Sequence, residues 1–211
     1  MRIGPKYKIC RRLGERVFAK CQTTKFSISG SAQKPGQGKK SAAGRPAGSA
    51  RPPAGRNLSE YGSQLLEKQK ARYTYGLGER QFAKQVKRHR REGDLYQSLE
   101  ARLDNAVFRL GWTPSRAAAR QAVTHGHILV NGRRVNMPSF SLQPGDKISL
   151  SPSSRERSLF RDLGERLKDY QPPTWLTAPA SGEGEVLASP AIGESELNLN
   201  FGAIIDFYSR V

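Results

Sequence analysis

Leu95, Leu99, Leu103, Ala106 and Leu110 recur at the spacing of one helical face, so this stretch must bury an apolar stripe against something else. The periodicity predicts a single helix over about 95–110. Asp94, with Gln97 three residues on, reads as its capping box, and Gly111 as its stop. Thr113 and Pro114 supply an N-cap and an N1 proline for a second helix to about His125, closed by Gly126. The pair reads as a helix–turn–helix with a seam of Leu99, Leu103, Ala118 and Ala122. Strands follow: residues 127–130 and 133–135 flank Asn131-Gly132, a hairpin signal. Pro144-Gly145 marks another turn before the alternating residues 147–150.

Upstream, Ser59 can cap a helix to about Arg72 that carries Leu65 and Leu66 inward and Lys68, Lys70 and Arg72 outward. A helix near 78–92 has Phe82 and Val86 on one face and Lys84, Lys87, Arg88, Arg90 and Arg91 elsewhere. Residues 7–20 suit a short basic helix along Ile9, Leu13 and Val17. Residues 27–56 are Gly, Pro, Ser and Ala with six Lys/Arg and no acid; they cannot bury enough apolar surface to offset ordering. A loop ordered only against a partner is expected there. Downstream, Leu159, Phe160, Leu163 and Leu167 predict a helix near 154–169. From Pro172 the chain reads as an extended segment anchored by Trp175, Leu176, Phe207 and Tyr208.

Charge narrows the function. The formal net charge of +18 divides into +13 over residues 1–56, +4 over 57–98, +5 over 99–163 and −4 over 164–211. Arginine outnumbers lysine 23 to 13, which suits bidentate contacts to phosphate. No apolar run is long enough to span a membrane, and the first residues lack the apolar core of a signal peptide. Cys10 and Cys21 fit free thiols in a reducing compartment. Residues 36–41 miss the spacing of a phosphate loop, and Gly76-Leu77-Gly78 lacks the third glycine of a dinucleotide fingerprint. No zinc spacing or nucleophile–base pair is present, so no enzyme, cofactor or metal is expected. Arg116 and Arg120 one turn apart, with Gln121, Asn131, Arg133 and Arg134 close by in sequence, carry the donors that RNA phosphates and 2′-hydroxyls require.

Residues 99–105 (Leu-Glu-Ala-Arg-Leu-Asp-Asn), residues 116–121 (Arg-Ala-Ala-Ala-Arg-Gln), and His125-Gly126 through Val130-Asn131-Gly132 resemble the RNA-binding module named after small-subunit ribosomal protein S-four. Residues 58–70, Tyr75-Gly76, residues 79–82, residues 173–176 and residues 207–210 resemble the helical part and end of that ribosomal protein itself. The resemblance covers essentially the whole chain. It implies an α+β fold: an N-terminal helical domain with an inserted helix–turn–helix-like RNA-binding module carrying a small β-sheet. The expected division is a basic arm over 1–56, a helical domain over 57–98 completed by 164–211, and the module over 99–163, with 164–211 an extended segment.

The implied role is non-enzymatic. Such a protein is a structural constituent of the small ribosomal subunit that binds 16S rRNA at a multi-helix junction and nucleates assembly. It lines the side where mRNA enters, beside neighbouring ribosomal proteins, and contributes to translational accuracy. Its place is the cytoplasmic ribosome, or an organelle ribosome if organelle-encoded, with no membrane partner. The residues expected to contact RNA are Arg11, Arg12, Tyr61, Lys68, Lys70, Arg72, Tyr75, Arg80, Gln81, Arg116, Arg120, Gln121, Asn131, Arg133 and Arg134. Two departures stand out. Pro35-Gly36-Gln37-Gly38 lacks the family's usual histidine and is followed by a Gly/Pro/Ala-rich insertion over 39–55. With only Cys10 and Cys21, the four-cysteine zinc site of some members is expected to be absent. An RNA-modifying enzyme would need a catalytic domain, for which the 48 residues after the module are too few. A heat-shock or ribosome-rescue factor built on the module would lack the helical flank.

Overall fold

The computed structural model describes residues 3–23, 26–28, 59–157, 159–168, 170–180, 182–192 and 199–210. Apart from its first two residues, the expected loop over 27–56, with the insertion over 39–55, lies outside them. Helix α1 (Lys6–Leu13) is shorter than the expected basic helix because Gly14 leaves it in the left-handed conformation, at φ 74°. A 3-10 turn (Ala19–Cys21) follows, and Cys10, Phe18, Cys21 and Phe26 close a small core. Burial and the adjacent Cys10 push the Cys21 thiol up to about 11.

Ser59 caps α2 (Glu60–Thr74) as expected, its Oγ accepting from Gly62 N at 3.2 Å. Phe82 and Val86 of α3 (Glu79–Arg88) are buried. The single helix expected over 95–110 is two helices. Helix α4 (Glu92–Glu100) starts ahead of Asp94, and α5 (Leu103–Arg109) follows after a break at Ala101-Arg102. Tertiary hydrogen bonds overrode the periodicity: Leu142 N donates to Ala101 O, and Leu103 N to Phe140 O, each at 2.9 Å. Helix α6 (Arg116–Thr124) is capped by Ser115 Oγ rather than by Thr113. The seam also divides, since Leu99 joins one core while Leu103 and Ala122 join the other.

Strands β1 (Ile128–Val130) and β2 (Arg133–Arg134) form the expected hairpin, with Asn131 at φ 50° and Gly132 at φ 77° in the primed-turn region. β3 (Lys147–Leu150) pairs with β1. In place of the helix expected over 154–169, the described residues form two single turns, α7 (Pro152–Arg155) and α8 (Leu163–Arg166). Phe160 and Leu163 are nevertheless buried in the strand-bearing core, so the apolar stripe was read correctly and its conformation was not.

The C-terminal part is not an extended segment. β4 (Leu176–Ala180) and β5 (Glu183–Val186) enlarge the sheet to the antiparallel order β2-β1-β3-β5-β4. Helix α9 (Phe201–Ser209), capped by Asn200 Oδ1 accepting from Ala203 N at 2.9 Å, packs on α2, α3 and α4. Among the described residues past 164, β4 and β5 thus join the module's sheet, whereas 199–210 reach the helical core. Together the elements make an α+β fold with two principal cores. One collects Trp112, Ile128, Ile148 and Trp175 around the sheet; the other collects Phe82, Leu95, Leu99 and Ile204 among the helices.

Ile204 is fully buried, so Ile204→Ala should cost about 2–5 kcal/mol through lost transfer energy and the cavity left behind. Urea denaturation measures this, and a loss below about 1 kcal/mol would show that α9 is only loosely docked.

Candidate nucleic-acid interface

The fifteen residues expected to face RNA separate into two groups. Arg11, Arg12, Arg80, Gln81, Gln121, Arg133 and Arg134 are exposed. Tyr61 is also exposed, its ring 5.4 Å from that of Phe207. Gln81 Oε1 accepts from Gly78 N at 3.4 Å and so helps to cap α3. Asn131 is exposed but occupied: its Nδ2 donates to Asp146 Oδ1 at 2.8 Å, and its Oδ1 accepts from Lys147 N at 2.9 Å. These bonds fix the hairpin turn that presents Arg133 and Arg134.

The others turn inward, which corrects the expectation of a solvent-facing cationic stripe on α2. Lys68 is only 6% exposed; its Nζ donates to Glu79 Oε1 at 2.8 Å and lies 4.6 Å from the Phe207 ring centre. Tyr208 Oη donates to the same carboxylate oxygen at 2.8 Å. Burial alone would raise the Glu79 pKa, but the bonds from Lys68 and Tyr208 outweigh it and hold the carboxyl below its ordinary range. Lys70 donates to Glu15 at 2.7 Å and to Glu67 at 2.8 Å, joining the N-terminal arm to α2. Arg72 pairs with Glu79 at 3.4 Å and lies over Tyr73. The physical reason is α9 on one flank of α2 and the arm on another, neither evident in the periodicity.

Tyr75 is buried, and its Oη donates to Glu100 Oε1 at 2.7 Å. Glu100, fully buried, also accepts from Asn105 Nδ2 at 2.7 Å and from Arg109 Nε at 2.9 Å. Burial by itself would raise its pKa; the charge and hydrogen bonds of Arg109, the Arg116 charge and the Tyr75 hydroxyl together outweigh this and keep the carboxyl below the usual range. Arg116 Nε donates to Asn105 Oδ1 at 2.7 Å, with its guanidinium 4.4 Å from the Phe108 ring centre. Arg120 pairs with Asp104 at 2.6 Å. The two arginines of α6 therefore lie in the seam between the cores.

Sequence reading kept Arg80 for the site but left its exposed neighbours Lys84, Lys87, Arg88, Arg90 and Arg91 out of it. Arg80, Lys84 and Lys87 lie along the side of α3 opposite Phe82 and Val86, followed by Arg88, Arg90 and Arg91. Their i, i+4, i+7 spacing was the available signal. At the far end of the module His125, His127, Arg134 and Arg157 gather. His127 Nδ1 lies 2.9 Å from Ser154 Oγ, and burial with the charges of Arg157, His125 and Arg134 lowers its pKa. A surface of this kind can bind a polyanion backbone; among the described residues no group of side chains suits a metal. No helix of the described residues is long and apolar enough to cross a membrane.

The family pattern "Ribosomal protein S4/S9 N-terminal domain" matches residues 1–103, and "S4 domain" matches residues 101–148. Small ribosomal subunit protein uS4 of Roseiflexus castenholzii is 44% identical over 216 residues, covering 99% of this chain and 98% of its own length. The uS4 proteins of Chloroflexus aurantiacus (40% identical, 99% of this chain and 98% of the relative) and Natranaerobius thermophilus (39% identical, 98% of each) are similar throughout.

Removing the Glu100 charge with Glu100→Gln should cost about 3–5 kcal/mol, because it breaks a buried ion pair with Arg109. Thermal denaturation tests this, and a shift near zero would contradict the pairing. The depressed His127 pKa means that the unfolded chain binds the proton more readily. Stability should therefore fall as pH drops below the ordinary histidine value of about 6.5. Melting curves from pH 7 to 5 should show a smaller fall for His127→Asn than for the parent.

Proposed function

The chain belongs to the uS4 family of small ribosomal subunit proteins, and from that premise we propose that it is a non-enzymatic constituent of the small subunit that binds 16S rRNA directly. The observation that carries the reading is the pair of exposed cationic ridges. Arg80, Lys84 and Lys87 on α3 and Arg133 and Arg134 at the hairpin have no ion pair among the described residues. Each ridge stands on a different core, so the two can grip separate helices of a folded RNA and hold a junction between them. Arg11 and Arg12 on α1 extend the surface, and Tyr61, Gln81 and Gln121 add hydrogen-bonding and stacking groups at its margins. Nucleation of subunit assembly, a position where mRNA enters beside neighbouring ribosomal proteins, and a contribution to accuracy belong to the same reading, as does a ribosomal location away from membranes.

If the ridges engage about 6–10 phosphates, affinity for a 16S fragment should fall on the order of 10³-fold or more between about 50 and 200 mM salt. A log–log salt slope shallower than about −2 would overturn this reading. Charge reversal at the exposed pair, Arg133→Glu with Arg134→Glu, should weaken binding without lowering the melting temperature, because both side chains are exposed and neither takes part in an ion pair among the described residues.

A further inference from the structure

A guanidinium offers five N–H donors in a fixed fork. In Arg120 four hydrogen bonds are already made within the chain. Nε donates to Asp104 Oδ2 at 2.8 Å, and Nη2 donates to the same oxygen at 2.6 Å and to Tyr75 O at 3.1 Å. Nη1 donates to Gly76 O. The carbonyls of Tyr75 and Gly76 lie at the C-terminal end of α2, where backbone acceptors lack helical partners. Gly76 has φ 61°, and a Cβ there would stand 3.2 Å from Nη1. The Asp104 side chain, 5% exposed, is held in turn by Arg102 through two bonds of 3.0 Å. One side chain of the strand-bearing unit thus clasps the end of a helix in the other unit, braced from behind by a buried carboxylate.

Resting on the RNA-binding reading above, we propose that Arg120, with Asp104, is a positioning latch between the two cores rather than a phosphate contact. Four of its five donors are committed to Asp104 and two carbonyls, so a bidentate grip on phosphate would require giving up at least one of those bonds. Its work is geometric. It fixes the angle between the α3 ridge and the hairpin ridge, so both meet one RNA without a further ordering cost. Arg116, bonded to Asn105 and lying over Phe108, supports the same seam one turn earlier.

Affinity of the full chain for a 16S fragment, measured across a salt series, separates the two roles. Losing a phosphate contact lowers the log–log slope by about one. Losing a latch lowers affinity at unchanged slope. Arg120→Met should weaken binding about tenfold or more with the parental slope. Arg120→Lys, which keeps the charge but not the fork, should weaken it nearly as much. Asp104→Asn, which removes no cation, should weaken it too, and the double variant should be little worse than either single one. Residual dipolar couplings on the free proteins add a readout that a general loss of stability would not move: each core keeps its internal geometry while the angle between them changes. Near-parental affinity of Arg120→Lys, or a slope lower by one unit in Arg120→Met, overturns the latch. If Arg120→Met does not fold, the Lys and Asn variants carry the same decision. A parental chain that shows no salt-dependent binding overturns the RNA-binding reading instead, and the couplings still report on the latch.

Discussion

A carboxylate with no exposure to solvent is the constraint around which this molecule is arranged. Desolvation of Glu100 is tolerable only if charged and neutral donors surround it, and they come from several elements at once. Tyr75 reaches it from beyond α2, and Asn105 and Arg109 from successive turns of α5. Asn105 then passes the network on to Arg116 of α6. This geometry also accounts for the break after Glu100. Asn105 Nδ2 donates to the Glu100 carbonyl at 3.2 Å, closing the end of α4, and α5 can then present Asn105 and Arg109 back toward the carboxylate. One unbroken helix could not place them there. The two apolar cores are therefore joined through a polar seam, and a seam of directional bonds specifies an angle where an apolar contact would tolerate several.

Local signals were legible in the sequence where one short stretch decides the outcome. Ser59 ahead of α2 and Asn131-Gly132 between β1 and β2 were read correctly, because a cap or a primed turn depends on a few adjacent side chains. Gly111 and Gly126 end their helices in left-handed conformations, as expected. The errors occurred where distant segments decide. Nothing within 95–110 announces that residues 138–142 will take over the hydrogen bonds at Ala101 and Leu103. Likewise, Pro and Gly between residues 172 and 193 suggested an extended tail, yet Gly182 at φ 80° allows the tight turn that joins β4 to β5.

The site was legible in chemistry and only half legible in place. Cations and amides in the correct stretches pointed to RNA, but composition counts a paired lysine and a free one alike. Lys68, Lys70 and Arg72 lie within three turns of α2 and each meets a carboxylate. Their partners, Glu79, Glu67 and Glu15, are few in a chain with a surplus of 18 positive charges, and a large part of that scarce acid is used to build the fold. Among the described residues, the cations left over include those on the side of α3 away from the core, at the hairpin and on α1. Net charge alone describes attraction to a polyanion, whereas the pairing pattern determines which faces can meet one.

The N-terminal core carries a different implication. Cys10 and Cys21 are both sealed from solvent, and a thiol whose pKa is about 11 is almost wholly protonated at neutral pH. Neither thiol presents a nucleophile while the arm stays folded on α2. Their rate of alkylation therefore reports how often that arm opens, so the chain carries its own reporter for the fraying of its N-terminus.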